Sequence, residues 1–346
     1  MTVDEKYMRR AMELALNGRG AVKSNPMVGA VIVHNDRIIG EGFHCEYGKA
    51  HAEVNAVNSV KDETLLPDST MYVTLEPCSH YGKTPPCAEL IIRKQIPRVV
   101  IGSLDPYPEV AGRGVDMLRN AGVEVVTGVL EGELYELNRP FITAHMRQRP
   151  YVILKWAQSA DGFIDKIRTD ASTPAVVLSP PDSMRLVHKL RAEVSAIMIG
   201  TRTAILDNPS LTVRHWVGES PVRVVLDRAL TIPSNYNILD GSVPTLVFTA
   251  KKAEKRQHVE YITIDFEKEV LLQVLHHLYK RKLISLLVEG GSMLHNQFLK
   301  EGLWDEIRME KTAGLLHEGV HAPDLTKISS SDRGEQRGRY IHYYNR

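Results

Sequence analysis

The sequence predicts an α/β protein of two domains, each a sheet with helices on its faces. Three observations carry this. A chain of 346 residues is long for one core. Apolar runs of strand length alternate with stretches of 3.6-residue period, as sheet-and-helix folds require. The alternation also stops and restarts. His145 to Pro150, "HMRQRP", is polar, basic, aperiodic and ends in proline, which sets the domains at 1–146 and 147–346.

In the first domain, residues 4–17 read as a helix, with Tyr7, Met8, Met12, Leu14 and Ala15 near a helical period. Val28–Val33 and Arg37–Phe43 read as a hairpin about an Asn35-Asp36 turn. "AHAEVNAVNSV" reads as a helix, "TMYVTLEPC" as a strand, and "PPCAELIIRKQI" as a helix with proline at its start. "RVVIGSLDP", "GRGVDMLRNAG" and "VEVVTGV" follow as strand, helix and last strand. In the second domain "YVILKWAQSADGFI" is a strong strand signal. "SMRLVHKLRAE" reads as a helix, "AIMIGTRTAI" as a strand and turn, and "VRVVLDRAL" and "TLVFTA" as strands. "VLLQVLHHLYKRK" is a helix, "SLLVEGGS" a strand running into glycines, and "MLHNQFLKEGL" a helix; "DEIRMEK" and "RYIHYYN" alternate as late strands.

Composition narrows the function classes. Net charge is +1, so no basic excess marks a nucleic-acid footprint and no acidic excess marks disorder. Three cysteines cannot build a disulfide framework, which suits a reducing compartment. The N-terminal stretch is amphipathic and acidic, unlike a signal peptide, and no run nears the ~18 apolar residues of a membrane span. A cytoplasmic protein without nucleic-acid or membrane partners is expected, and a homo-oligomer.

The chemistry concentrates in "HAEVNAV" and "EPCSHYGKTPPCAEL". His51, Cys78 and Cys87 form a borderline-soft set of three ligands suited to Zn²⁺, one short of a closed tetrahedron. An open position takes water, whose pKa a zinc ion brings to ~7. Glu53, two residues after His51, is the candidate proton carrier. Residues i and i+2 lie ~200° apart on a helix, so His51 and Glu53 share a site only at a helix start. Cys87, after Pro85-Pro86, also opens a helix, and two helix N-termini favour thiolates.

His-Ala-Glu followed by Pro-Cys and a second Cys resembles the cytidine-deaminase superfamily, whose zinc activates water to displace an exocyclic amine. Here eight residues separate the cysteines instead of two. That loop, with "SNPMVGAVIV", "GFHCEYGKAHAE", "DPYPEVAGRG", "LKWAQSADG", "HKLRAEVSAIMIGTRT", "DNPSLTVR" and "VEGGSMLHNQFL", resembles one branch along nearly the whole chain, the bifunctional riboflavin-biosynthesis deaminase–reductases. The resemblance implies a cytidine-deaminase-like N-terminal domain followed by a dihydrofolate-reductase-like C-terminal domain, with Zn²⁺ and NADPH as cofactors. It implies hydrolytic deamination of 2,5-diamino-6-(5-phosphoribosylamino)pyrimidin-4(3H)-one, a small phosphoribosylated pyrimidine, then reduction of the ribosyl side chain to ribityl.

Carried over by position, Asn25 and His44 hold the pyrimidine, while His80, Lys83 and Asp105 surround the ring and phosphoribosyl arm. Ala157, Thr203, Asp207 and the run Gly291, Ser292, Met293, Leu294, His295, Asn296 and Gln297 line the nicotinamide cofactor. Arg191, Leu211, Arg214 and Glu289 hold the reductase substrate, the two arginines suiting a phosphate. The family's Ser-x-Trp-Ile after "SADG" is absent; in "STPAVVLS" Ser172 or Pro174 stands nearby, and Ser172 is the expected substrate contact. Tyr107 stands where the family often has Asn, and His317 where glycine is usual. The proton donor of the reductase is open between Lys155 and Asp161. Two other readings stand beside this one. One is a nucleoside or tRNA deaminase with a non-catalytic second domain. The other is a structural zinc module fused to a ligand-binding domain, with Cys45, His44 or His80 as fourth ligand.

Overall fold

A computed structural model of the chain describes residues 1–81, 85–107, 110–326, 328 and 334–345. It divides into Met1–Gln148 and Arg149–Arg346, two residues beyond the boundary expected.

The first unit contains α1 (Val3–Ala15), β1 (Gly29–His34), β2 (Arg37–Phe43), α2 (Ala52–Ser59), β3 (Thr70–Leu75), α3 (Cys87–Arg93), β4 (Arg98–Ser103), α4 (Arg113–Asn120), β5 (Glu124–Thr127), α5 (Glu131–Leu137) and α6 (Arg139–Arg147). The strand order is β2-β1-β3-β4-β5. β1 runs antiparallel to β2 and β3, whereas β3, β4 and β5 are parallel. A Thr2–Glu5 capping box starts α1. Asn35 and Asp36 turn the hairpin with φ of 46° and 58°, the conformation that suits an Asn-Asp pair. Alternate residues of the strands build a core on each face. Ala30, Ile32, Met71 and Val73 meet α2, α3 and α4, while Val31, Tyr72 and Val100 meet α1 and α5.

Glycines decide how close the site-bearing helix comes to the sheet. A Cβ at Gly42 would stand 2.3 Å from the Ala56 amide nitrogen, and one at Gly40 would stand 2.6 Å from the Ala56 carbonyl oxygen. Only glycine lets α2 lie directly on β2, which fixes where its first turn ends up.

The second unit contains β6 (Tyr151–Gln158), β7 (Phe163–Asp165), α7 (Pro181–Glu193), β8 (Ala196–Gly200), α8 (Thr201–Asp207), β9 (Val222–Leu226), β10 (Thr245–Thr249), β11 (Val259–Thr263), α9 (Val270–Lys280), β12 (Ser285–Val288), α10 (Ser292–Lys300), β13 (Glu306–Lys311), β14 (Val320–His321), β15 (Glu335–Arg337) and β16 (Tyr340–Tyr344). Its main sheet is ordered β11-β10-β9-β8-β12-β6-β13-β16-β15, and β7 pairs with β14. The seven strands from β11 to β13 are parallel, and β16 and β15 close the edge antiparallel. On β6 the alternation is explicit: Val152, Leu154 and Trp156 join one core, Tyr151 and Ile153 the other. The near-continuous apolar runs of β8 and β12 follow from burial on both faces.

Several elements depart from expectation. His145 to Arg147, read as part of a linker, are the last turn of α6. "TRTAI" continues into α8 instead of turning, "YVILKWAQSADGFI" divides into β6 and the start of β7, and α5, β11, β14 and β15 are not among the expected elements.

Candidate functional site

In the first unit three short segments converge. His51 is the N-cap of α2, with extended backbone, so its ring projects beyond the helix end while Glu53 sits in the first turn. Cys87 is the first residue of α3, set by Pro86 at the N-cap. Cys78 lies in the loop leaving β3 and is drawn against α3: the Cys87 amide donates to Cys78 Sγ at 3.3 Å, and the Ala88 amide to the Cys78 carbonyl at 3.2 Å. His51 Nδ1 stands 3.6 Å from Cys78 Sγ and 3.4 Å from Cys87 Sγ. A tetrahedral Zn²⁺ with bonds of ~2.3 Å to sulfur and ~2.1 Å to nitrogen spaces such ligands by about 3.6 Å. The cluster therefore fits zinc before any rearrangement.

The charge state agrees. The hydrogen bond between the two thiols holds Cys78 below the ordinary thiol range and pushes Cys87 above it, so one sulfur is favoured as thiolate while the other keeps its proton. A dication displaces that proton and turns both sulfurs into ligands. Burial first, and the nearby Cys78 second, push the Glu53 carboxyl up to about 7.

Among the described residues no fourth His, Cys, Asp or Glu joins the group, so the structural-zinc reading lacks its closing ligand. His44 is otherwise engaged: its ring nitrogens lie 3.0 Å from Asn25 Nδ2 and 3.0 Å from the Ala50 carbonyl. With Nδ1–H donating to Ala50, Nε2 accepts from Asn25, which turns the Asn25 carbonyl oxygen toward solvent or a ligand. The His44 ring sits edge-on to His51 at 5.6 Å, so both pyrimidine-holding candidates border the ligand cluster. Cys45 and His80 are exposed.

Asp105 follows β4, and burial raises its carboxyl, with His145, Glu76 and His80 near enough to act on it. Two of these were missed from sequence. Glu76 is buried and accepts from four backbone amides, those of Asp105 (3.2 Å), Gly112 (2.9 Å), Gly114 (2.8 Å) and Val115 (3.3 Å). It ties the strand that leads to Cys78 to the loop that carries Asp105. His145 projects from α6, with its ring 4.4 Å from Phe141. Lys83 lies outside the described residues.

In the second unit Ala157 lies near the end of β6, Thr203 follows β8, and Glu289 and Gly291 follow β12, so these four stand at the C-terminal ends of three adjacent strands, where open parallel sheets bind ligands. A Cβ on Gly290 would meet Ile199 Cα at 2.6 Å, and one on Gly291 would meet Thr203 Oγ1 at 3.2 Å. The Gly-Gly turn thus brings the start of α10 against the start of α8. The run 291–297 divides. Met293 is exposed, whereas Leu294 and His295 are buried in the core. Asn296 bonds Ser292 and the Asp324 amide, and Gln297 bonds Glu301. What this run offers a ligand is its first-turn amides, not its later side chains. Asp207 is paired with the buried Arg168, which also holds Asp165.

Arg191 and Glu289 form an ion pair at 2.6 Å with both side chains about nine-tenths buried, and although burial alone would raise Glu289, Arg191 brings it down. Leu211 has its side chain in the core and a φ of 54°, and Arg214 follows it on an exposed loop. Ser172 is exposed and directs its hydroxyl to Asp170, away from these groups. Lys155 and Asp161 are separated clearly. Asp161 accepts from the amides of Leu316 and His317 and, with Ser159 bonded to it, is held near about 2. Lys155 shares the Ile153 and Ala157 side of β6, burial lowers its ammonium, and Glu289, Glu310 and Arg191 surround it.

Comparison with known proteins agrees with this geometry. Residues 1–103 match the cytidine and deoxycytidylate deaminase zinc-binding region, and residues 150–314 match the RibD C-terminal domain. The chain is 41% identical over 328 residues to riboflavin biosynthesis protein RibD of Aquifex aeolicus, covering 93% of this chain and 90% of the relative. It is 42% identical to the protein of the same name from Bacillus amyloliquefaciens, covering 93% and 88%. Among solved structures, the diaminohydroxyphosphoribosylaminopyrimidine deaminase/5-amino-6-(5-phosphoribosylamino)uracil reductase of Thermotoga maritima superposes with a TM-score of 0.87 at 37% identity, covering 99% of this chain and 98% of that one. RibD of Acinetobacter baumannii gives 0.85 at 35% identity, covering 98% and 97%.

Proposed function

The chain belongs to the RibD family of bifunctional deaminase–reductases of riboflavin biosynthesis, and from that premise we propose how its own residues carry the two reactions. Residues 1–146 form the zinc-dependent deaminase and 147–346 the NADPH-dependent reductase. The substrate is 2,5-diamino-6-(5-phosphoribosylamino)pyrimidin-4(3H)-one. The observation that carries the first half is the three-ligand cluster with a buried carboxyl in the adjoining helix turn.

His51, Cys78 and Cys87 hold the zinc, which when bound supplies an acidified water for attack on the ring carbon bearing the amine. Glu53 takes a proton at its carboxylate and returns one to the departing ammonia, the two-way role suited to a carboxyl kept from solvent. Asn25, oriented by His44, reads the pyrimidine edge. Asp105, with His80 and Lys83, borders the phosphoribosyl arm.

In the second half NADPH supplies the hydride. The first-turn amides of α10, with Thr203 and Ala157, orient the cofactor, and Asp207 closes its edge. Arg191 and Glu289 hold the sugar, Arg214 its phosphate, and the backbone turn at Leu211 sets the path of the chain between them. Lys155 moves the proton that ring opening requires. Its ammonium is lowered by burial and lies among Glu289, Glu310 and Arg191, whereas Asp161 is tied into backbone amides. We extend the reading to a cytoplasmic homo-oligomer without nucleic-acid or membrane partners, which sedimentation and fractionation test. Among the described residues no helix is long and apolar enough to cross a membrane.

The test of the first half is Glu53→Gln. The variant should keep one zinc per chain, lose ammonia release by ~10²-fold or more, and still oxidise NADPH on pre-deaminated substrate. Unchanged ammonia release would remove Glu53 from the mechanism. Supplying tRNA in place of the pyrimidine phosphate tests the substrate class, since ammonia released from tRNA alone would replace it.

A further inference from the structure

His188, on α7, is fully buried, and its Nε2 has no hydrogen-bond partner. It is the one buried side-chain nitrogen or oxygen among the described residues left in that state. The other ring nitrogen is occupied. The Arg214 amide donates to His188 Nδ1 at 2.9 Å, so Nδ1 carries a lone pair and the proton must sit on Nε2. A buried donor without an acceptor costs ~1–3 kcal/mol. An apolar residue of similar volume would fill the same space without that loss, so packing alone does not explain an imidazole here.

Its neighbours supply an explanation. Arg191, one turn on along α7, donates to the Thr212 carbonyl at 3.3 Å, and Ser220 Oγ accepts from the Val213 amide at 3.0 Å. With His188 on the Arg214 amide, three successive residues of an otherwise exposed loop are fixed by side chains. They follow Leu211, whose positive φ turns the chain into this segment. Among the described residues the Arg214 guanidinium beyond them bonds only Thr212 Oγ1, at 3.1 Å, and no carboxylate neutralises it. It is a cation held out on a loop whose backbone is clamped from α7.

We propose that His188 is a positioning residue of the reductase: as the Nε2–H tautomer it holds the Arg214 backbone so that the guanidinium meets an anionic group of the substrate. The proposal rests on the reading of Arg214 as the phosphate contact. Arg191, Arg214 and His215, whose ring lies edge-on at 4.7 Å, face the imidazole, with Glu289 opposing them. Burial first, then the two arginines, hold the ring neutral, down to about 4, so the clamp persists through neutral pH.

The experiment compares His188→Leu, His188→Asn, Arg214→Ala and the double variant His188→Leu/Arg214→Ala in the full chain, measuring KM and kcat for the pre-deaminated substrate and KM for NADPH. Asn retains an acceptor near the Nδ1 position, and Leu retains none. His188→Leu should raise substrate KM about tenfold, the scale of losing one charge-assisted contact, with kcat and the NADPH KM within about twofold. His188→Asn should recover most of the loss. In the Arg214→Ala background His188→Leu should change KM by less than about twofold. Should the leucine variant not fold, His188→Gln serves, since its amide reaches the Nε2 position and leaves Nδ1's place without an acceptor. An unchanged substrate KM, an effect that persists undiminished without Arg214, or an equal rise in the NADPH KM overturns the proposal. An Arg214→Ala variant with normal KM overturns both this and the phosphate reading, whereas a raised KM there with a silent His188 overturns this one alone.

Discussion

Glu76→Gln tests whether one buried carboxylate joins the metal loop to the substrate loop. Oε1 accepts from the Gly114 and Val115 amides, and Oε2 from those of Asp105 and Gly112. A glutamine keeps one oxygen and presents an NH₂ group where the other stood. In its better orientation the oxygen serves the fully buried pair at the start of α4, and the Asp105 and Gly112 amides face donors. Two orphaned amides at ~1–3 kcal/mol each put the loss near ~4 kcal/mol. With a denaturant slope of ~2 kcal/mol per molar urea, the unfolding midpoint of the zinc-loaded first unit should fall by about 2 M. Functionally, slack in the Asp105 loop should raise the deaminase KM about tenfold or more while zinc content stays at one per chain. Repacking to isosteric glutamine with a midpoint shift below ~0.3 M would show that the four amides do not depend on the carboxylate. A variant that loses zinc would show that Glu76 supports the metal loop instead of the substrate loop.

Replacing Cys78 or Cys87 by serine should drop zinc content well below one per chain and abolish ammonia release, while NADPH oxidation on pre-deaminated substrate continues; metal analysis and the two assays check this. Gly42→Val should force α2 off β2, because even a Cβ stands 2.3 Å from the Ala56 nitrogen, and zinc affinity should fall without any ligand being changed. Lys155→Met should lower reductase kcat by ~10²-fold or more with the NADPH KM nearly unchanged, read in single-turnover kinetics. Glu306 sits at about 2: burial raises it, and Arg308 and His342 more than reverse this. Its folded pKa is below the unfolded value of ~4.3, so its contribution is complete above that value and is lost as pH falls toward 2. Acid unfolding of the reductase unit should be steep between those limits, and Glu306→Gln should flatten that window.

What the sequence reveals depends on whether a feature is local. Val28–Val33, the Asn35-Asp36 turn and the apolar runs of β3, β4, β8 and β12 are legible because period and turn chemistry are written in consecutive residues. The metal cluster is legible for a related reason. His51 and Glu53 must straddle a helix start, the prolines before Cys87 open another, and the structure has both. α6 escaped because it buries little, Phe141, Thr143 and Ala144, and its polar last turn reads as linker. That error concealed His145. Edge strand β11 escaped because one face of "VEYIT" is half-exposed, which weakens the pattern. Glu76 and His188 were beyond reach for a stronger reason. Each acts on backbone amides 26 or more positions away, and no spacing rule encodes such partners. Leu294 and His295 show the opposite failure, where positions that match a motif point their side chains into the core.

The two units reach their chemistry by one device. In each, helix starts beside the C-terminal ends of buried strands carry the metal ligands, the proton carrier or the turn offered to the cofactor. β3 leads through Cys78 to α3, and glycines 40 and 42 seat α2 so that His51 and Glu53 arrive at the same point. β8 leads directly into α8 with Thr203, and β12 into α10 through Gly290 and Gly291. Helix starts present unpaired amides and a positive dipole end, which suit thiolates in one unit and a phosphorylated cofactor in the other. The side chains that aim these groups lie elsewhere, Glu76 at a strand end and His188 on α7. Changing a ligand should therefore remove one activity outright. Changing an aiming residue should shift KM first, which separates the two kinds of residue experimentally.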